Sequence, residues 1–349
     1  MNFENILETA KKALEKRNKK LKDLFEAAEK GTLKDVVYFV ERKNANINEI
    51  NDKGNTPLFF AVMSNPNIDV LRYLISKGAN INIKNKLDRT LLHHAALNSN
   101  IAVLKFLILS QGANVSAKDV NGDTPLHIAS WYNSNVEILK YFVSQGAKAT
   151  VKNNEGFTPF HYAAERNSNI EVLKYLISQG ADINAKSNAG KAPLHCAALG
   201  NKNVEIVKFL VANKVKIDAK GDGGGLPLLC YAARNENIEV TKFLISKGAQ
   251  IQVNSEGGVE DPLYVAALSG NIELVKLLIS KGAHIHTNSS SGTPLHAAVF
   301  SGNVEIAKFL IGRGVVINAK GLDGATPLSI ARDIGNTAMV KYLTSVGAI

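Results

Sequence analysis

Five histidines recur on one frame: His93, His127, His161 and His195 at steps of 34 residues, and His296 further on. An imidazole can ligate a metal, move a proton or hold a hydrogen bond, and spacing decides which. A metal site needs ligands converging within a few ångström of one ion. Residues carried once per stacked unit stand about one helix diameter apart, ~10 Å. These histidines therefore form a ladder and no metal cluster. His284 and His286 alternate on a hairpin with no Cys or carboxylate beside them, which also speaks against metal. Cys196 follows His195, but a thiol nucleophile needs a base oriented by a third group. None is visible, and Cys196 reads as a small packing residue. The run Gly221-Asp222-Gly223-Gly224-Gly225 lacks the Gly-Lys-Ser/Thr of a phosphate loop and leads to Pro227, so it reads as a hairpin tip. No catalytic residue, no metal and no cofactor is assigned, and the chain is not expected to be an enzyme.

Two basic ladders carry a different chemistry. Arg72, Lys105, Lys140, Lys174, Lys208, Lys242, Lys276, Lys308 and Lys341 recur along one set of helices. A nucleic-acid stripe has this look. An acid precedes most of them by three residues: Asp69, Glu137, Glu171, Glu205, Glu239, Glu273 and Glu305. Such i,i+3 pairs neutralise the ladder, so a solvated face is expected. Lys84, Lys118, Lys152, Lys186 and Lys220 form the second ladder, at one hairpin position in five consecutive repeats.

The elements that carry these residues repeat. Thr56-Pro57-Leu58, Thr90-Leu91-Leu92-His93, Thr124-Pro125-Leu126-His127, Thr158-Pro159-Phe160-His161 and Ala192-Pro193-Leu194-His195 stand 34 residues apart. The series continues less regularly at Leu226, Asp261, Thr293 and Thr326. Residues 118–151 show the parts. Asn121-Gly122-Asp123 supplies a hairpin turn. Thr124 is placed to cap the first helix, and Pro125 stands where its missing N–H costs nothing. Leu126, Ile128 and the small Ala129 begin that helix. Asn135 caps the second, whose Val136, Ile138, Leu139, Phe142 and Val143 share one face. Gly146 stops it in the left-handed conformation. One such unit cannot bury its apolar face alone.

The recurring tetrad resembles the signature of ankyrin repeats from about residue 21 to the end of the chain. The resemblance implies an all-α repeat solenoid of about ten units including caps. It implies that the histidines hold hairpin–helix junctions by hydrogen bonds. It also implies a concave binding face built of hairpin tips and first helices, where lysine is a common hairpin residue.

Within this frame residues 1–20 are expected to form an amphipathic basic helix, with Phe3, Ile6, Leu7, Ala10 and Leu14 on one side. The array spans 21–349: a cap repeat at 21–53, regular repeats at 54–212, an irregular segment at 213–262, and late repeats with a C-terminal cap at 263–349. In the irregular segment Lys214 replaces the helix-stopping glycine and Leu226 removes the Thr cap, so 213–262 is expected to be the softest part of the array or a bend in it. The ending after Gly347-Ala348 equally suits the front part of a longer protein.

Partner contacts are expected at the variable positions that follow the Ala pair of each first helix. These include Leu97 with Asn98, Trp131 with Tyr132, Glu165 with Arg166, Arg234 with Asn235, and Phe300 with Ser301. The hairpin residues Arg89, Asp123 and Phe157 join them, with Lys118 and Lys152 alongside. Trp, Tyr and Arg dominate interface energetics. The competing role for Trp131, the chain's one tryptophan, is to fold back onto neighbouring helices.

Composition agrees with an ordinary folded protein: 349 residues, 45% hydrophobic and 21% charged, with a net charge of +10 that favours acidic partners. Two cysteines suggest reduced thiols in a cytosol. No Sec-type signal is visible in the first residues, and no apolar run approaches membrane-spanning length. The leading expectation is a cytoplasmic, monomeric scaffold or adaptor that binds another protein. The Asn- and Lys-rich repeats resemble those of intracellular bacteria or protists, which suits an effector working in a host cytoplasm. The alternatives are a module binding nucleic acid or another acidic surface, and the targeting module of a larger enzyme or toxin.

Overall fold

The computed structural model describes residues 21–217, 226–252, 261–287, 292–321 and 324–349. The basic helix expected over 1–20, the glycine run 221–225 and Lys220 lie outside those residues. Among the described residues every regular element is a helix. Twenty α-helices fall into ten successive pairs, from Leu24–Lys30 with Leu33–Glu41 to Pro327–Asp333 with Thr337–Ser345. The pairs fall into two compact units. One runs up to residue 160 and takes in 171–181; the other comprises 161–170 and 182–349.

The pair Pro125–Tyr132 and Val136–Ser144 shows how sequence sets the unit. Thr124 is extended at the N-cap and Pro125 opens the helix. The Asn135 side chain accepts the Glu137 N–H at 3.1 Å to start the second helix. Gly146 ends it at φ 95°. Leu126, Ala129, Ile138, Leu139 and Phe142 are fully buried, and each large side chain among them contributes about 1.5–3 kcal/mol. In the first unit Leu24–Lys30 packs on Pro57–Ser64, which packs on Leu91–Ala95, which packs on Pro125–Tyr132. In the second, Pro262–Leu268 packs on Pro294–Phe300 and the latter on Pro327–Asp333. Alanine at these contacts lets the helices approach.

Asparagine stitches the pairs together. Buried Asn65 donates from Nδ2 to the Ala28 and Gly31 carbonyls at 2.8 and 3.0 Å. Asn133 does the same to Ala96 and Asn98, Asn201 to Ala164 and Asn167, and Asn235 to Ala198 and Asn201. Each satisfies helix-end carbonyls of the preceding pair, groups that would otherwise be unpaired away from water. Asn235 was expected to face a partner. The register runs one residue differently there, and Asn235 is buried framework.

The hairpins are built on a second set of side chains. Asn51, Asn85, Asp119 and Asn153 each accept the backbone N–H groups two and four residues ahead, at 2.9–3.1 Å. Successive tips are joined by one backbone bond each: Lys86 N–H to Lys53, Val120 to Leu87, and Asn154 to Asn121. Gly122 sits at φ 75°, and a Cβ there would lie 2.9 Å from the Asn154 nitrogen.

Two departures from regularity are resolved. Lys214 holds the left-handed conformation, φ 61°, after a second helix, where most other pairs have glycine and the first pair has Asn44 at φ 49°, at a cost of roughly 1 kcal/mol. In the third pair Ile101–Lys105 runs into a π-helical turn, Phe106–Ser110. In most other pairs the residue after the stop glycine bonds back over five residues, as in Ala79 N–H to Leu74 and Ala147 to Phe142, while in the first pair Ala45 reaches back over six to Phe39. In the third pair Ala113 also reaches back over six, to Leu107. One extra residue has been taken into the helix as a wide turn.

Candidate functional site

The histidine ladder is internal wiring. His127 is fully buried. Its Nδ1 accepts the Thr124 backbone N–H at 3.1 Å, with the Thr124 hydroxyl 2.9 Å away. Its Nε2 lies 3.1 Å from the Phe157 carbonyl of the next hairpin. A carbonyl only accepts, so Nε2 carries the proton and the ring is the neutral Nε2–H tautomer. His93 repeats the arrangement onto Asp123, and His296 onto Ala325. His161 reaches the Lys191 carbonyl at 3.1 Å, and His195 accepts the Ala192 N–H. Burial holds His93 and His296 below the usual histidine range. In the first full repeat Phe59 stands at the histidine position, and the buried Thr56 hydroxyl has no partner. His93, His127 and His296 thus each tie their own helix start to the following hairpin. Among the described residues no three of His, Cys, Asp or Glu gather as a metal site would require.

His94 is a separate case. It is buried, its ring edge meets Phe59 at 4.7 Å, and its Nε2 lies 3.4 Å from Asn85 Nδ2. Burial pushes it down to about 4, with Arg89 adding to the effect. The Cys196 thiol is buried and pushed up to about 12 by that burial, with Glu165 nearby adding to it. A thiol held so firmly protonated is a packing group.

The second-helix lysines are paired as their spacing implied. Lys140, Lys174, Lys208, Lys242, Lys276 and Lys308 meet the glutamates three residues earlier at 2.7–3.0 Å. These exposed pairs add little to stability. They neutralise that face.

Trp131 and Tyr132 close the helix Pro125–Tyr132, beyond the buried stretch Leu126 to Ser130. Their rings stack at 5.4 Å and 14°. Trp131 is half-buried and Tyr132 is 62% exposed. Phe157 is half-buried, with its N–H on Asn153 Oδ1 and its carbonyl on His127. Lys118 and Lys152 are exposed on adjacent hairpins, and Lys118 Nζ lies 3.5 Å from the Lys152 carbonyl. Leu97 is half-buried past the end of Leu91–Ala95.

Other expected contact residues are committed inside the fold. Asp123 is only 3% exposed; its carboxylate accepts from Asn153 Nδ2 at 2.8 Å, and its carbonyl faces His93. It belongs to the framework and is not available to a partner. Arg89 Nε donates at 3.0 Å to Asp119, whose side chain is wholly buried. That bond compensates the buried carboxylate and fixes the arginine. In the second unit Glu165 is half-buried, burial raises its carboxyl, and Arg166 is exposed beside it at 3.7 Å. A Cβ on Gly200 would stand 2.6 Å from the Glu165 Cγ, so the glutamate is packed against a glycine. Phe300 is a half-exposed ring ending Pro294–Phe300.

Sequence reasoning passed over the stitching asparagines, although Asn recurs at the same 34-residue step. It also passed over the extra residue at Leu109, whose signal is a one-residue slip between Asn100 and Gly112.

A family model described as ankyrin repeats in three copies matches residues 24–119, 92–187, 186–255, 229–321 and 263–349. Among curated proteins none matches the chain.

Proposed function

We propose, on the premise that this chain belongs to the ankyrin-repeat family, that it is a scaffold or adaptor that binds another protein through its hairpins and first helices. Ankyrin repeats generally mediate protein–protein interaction. The observation that carries the finer reading is the stacked Trp131–Tyr132 pair in the first unit. It lies outside the buried framework, on a helix already filled by Leu126, Ile128 and Ala129. Phe157 and Leu97 supply further apolar surface of the same unit, and Lys118 and Lys152 supply positive charge for an acidic rim. Arg166, Glu165 and Phe300 are contact candidates of the second unit in their own right. No catalytic step is part of the proposal.

The paired lysines of the second helices weigh against a nucleic-acid stripe on that face. The case for an effector of an intracellular bacterium, acting in a host cytoplasm, rests on the repeat resemblance alone.

The test is a pull-down with the wild-type chain against a Trp131→Ala/Tyr132→Ala chain, followed by affinity measurement on the partner recovered. Trp131→Ala should cost about 2 kcal/mol of binding, roughly thirtyfold, with little change in thermal midpoint. Loss of stability with binding spared would make the tryptophan a packing residue and refute the site.

A further inference from the structure

A cavity lies beside the π-helical turn. The extra residue in Phe106–Ser110 projects Leu109 into solvent, 69% exposed. It also displaces the turn that follows. Ala79 and Ala147, the alanines after the stop glycines of the neighbouring pairs, are buried. Ala113, their counterpart, is only partly so. A cavity of about 470 Å³ opens at this turn, within the first unit. Ile81, Ala113 and Ala117 line it with partly exposed apolar surface over a floor that includes Leu107, and uncharged polar side chains such as Gln111 and Asn114 make up much of the remaining wall. Lys84 and Lys118 are its only charged lining residues, and no acid faces it.

That volume suits one large apolar side chain with room to spare. Two lysines and no carboxylate favour an occupant whose surroundings are negative. We propose that this cavity is an anchor pocket for an aliphatic or aromatic side chain on an acidic segment of a protein partner. It is separate from the Trp131–Tyr132 surface and does not depend on it. The inserted residue creates the pocket, and the hairpin lysines select the charge around its ligand.

The experiment uses the full chain and a fluorescein-labelled, amidated probe, Asp-Asp-Leu-Asp-Asp, read by anisotropy. Two comparison probes replace the central Leu by Ala, or all Asp by Lys. The leucine probe should bind at least about tenfold more tightly than the alanine probe, since a buried leucine side chain is worth that much or more. The lysine probe should not bind. Deleting Leu109 restores the regular helix and should close the pocket, again weakening the leucine probe about tenfold. Ala117→Leu, which enlarges a wall residue outside the helix and takes up part of the cavity, should also weaken the leucine probe and covers the case of a deletion that fails to fold. Lys84→Glu should weaken the acidic probe while leaving thermal stability unchanged. Trp131→Ala should leave the probe's affinity unchanged, so this pocket and the tryptophan surface can fail separately. Equal binding of the leucine and alanine probes, no binding at all, binding that survives both Leu109 deletion and Ala117→Leu, or binding lost with Trp131→Ala would each overturn the proposal.

Discussion

Replacing His127 by alanine tests whether the histidine ladder is structural. The ring is fully buried and satisfies the Thr124 N–H through Nδ1 and the Phe157 carbonyl through Nε2. Removing it breaks two hydrogen bonds at about 1 kcal/mol each and leaves their partners unpaired in the interior. It also empties a ring-sized space, a further loss of about 2 kcal/mol. The expected total is about 4 kcal/mol, of the order of a thousandfold in the local opening equilibrium. The first full repeat offers an internal control. There Phe59 fills the histidine position and the Thr56 hydroxyl does without a partner. His127→Phe should therefore cost less, about 1–2 kcal/mol. Hydrogen exchange resolves the effect: amides of 124–144 should lose protection most, because the bonds tie one hairpin–helix junction to the next. A loss below about 1 kcal/mol for alanine, or a phenylalanine variant worse than alanine, would refute the assignment. Stoichiometric zinc that disappears with this substitution would refute it more thoroughly.

The buried histidines should make the fold acid-sensitive. His94 is held at about 4 against an ordinary 6.5, so the unfolded chain takes up its proton first; stability is full above pH 6.5 and falls as pH drops towards 4. Between pH 7 and 4.5 the loss from this group should be about 2–3 kcal/mol, and denaturation of His94→Leu at both pH values should show a pH dependence smaller by that amount; an unchanged dependence would show that His94 is not the group. Lys214→Gly should stabilise its repeat by up to about 1 kcal/mol by relieving the left-handed residue, seen as slower exchange of Val204–Ala212 amides; a destabilised variant would contradict the strain. Gly122→Ala should cost about 2 kcal/mol or more, because φ 75° and the nearby Asn154 nitrogen both exclude a Cβ; thermal unfolding indistinguishable from wild type would contradict the close approach.

Much of the fold was legible because the frame repeats. Helix starts at Pro125 and Asn135, the stop at Gly146 and the apolar faces follow from local rules acting on each unit, and the pairs lie where those rules put them. The candidate site was legible only in part. Trp131 and Tyr132 could be placed past the buried end of a first helix by register alone. Asp123 could not be told from an exposed hairpin acid, because its burial depends on Asn153 of the next hairpin and His93 of the preceding repeat. Arg89 likewise needed Asp119, thirty residues away. Asn235 was misplaced because the Ala pair shifts by one residue in that repeat. Each miss concerns a side chain whose partner lies in a neighbouring unit, where short-range pattern carries no information.

The π turn is the instructive failure. Thr90 and Thr124 stand 34 residues apart, so the repeat between them counts as regular. Yet Asn100 caps its second helix ten residues after Thr90, where Asn67 stands eleven after Thr56 and Asn135 eleven after Thr124. One residue is missing after the first helix and one is added within the second, and the two changes cancel in the period. They do not cancel in space. The shortened first helix ends at Ala95, and the lengthened second helix must widen to bring Ala113 back to Leu107. A period counts residues between equivalent points and is blind to how they are shared among elements. The early asparagine cap and the π-helical bond from Ala113 to Leu107 together mark the exchange, and the cavity lies beside that turn with Lys84 and Lys118 on its wall.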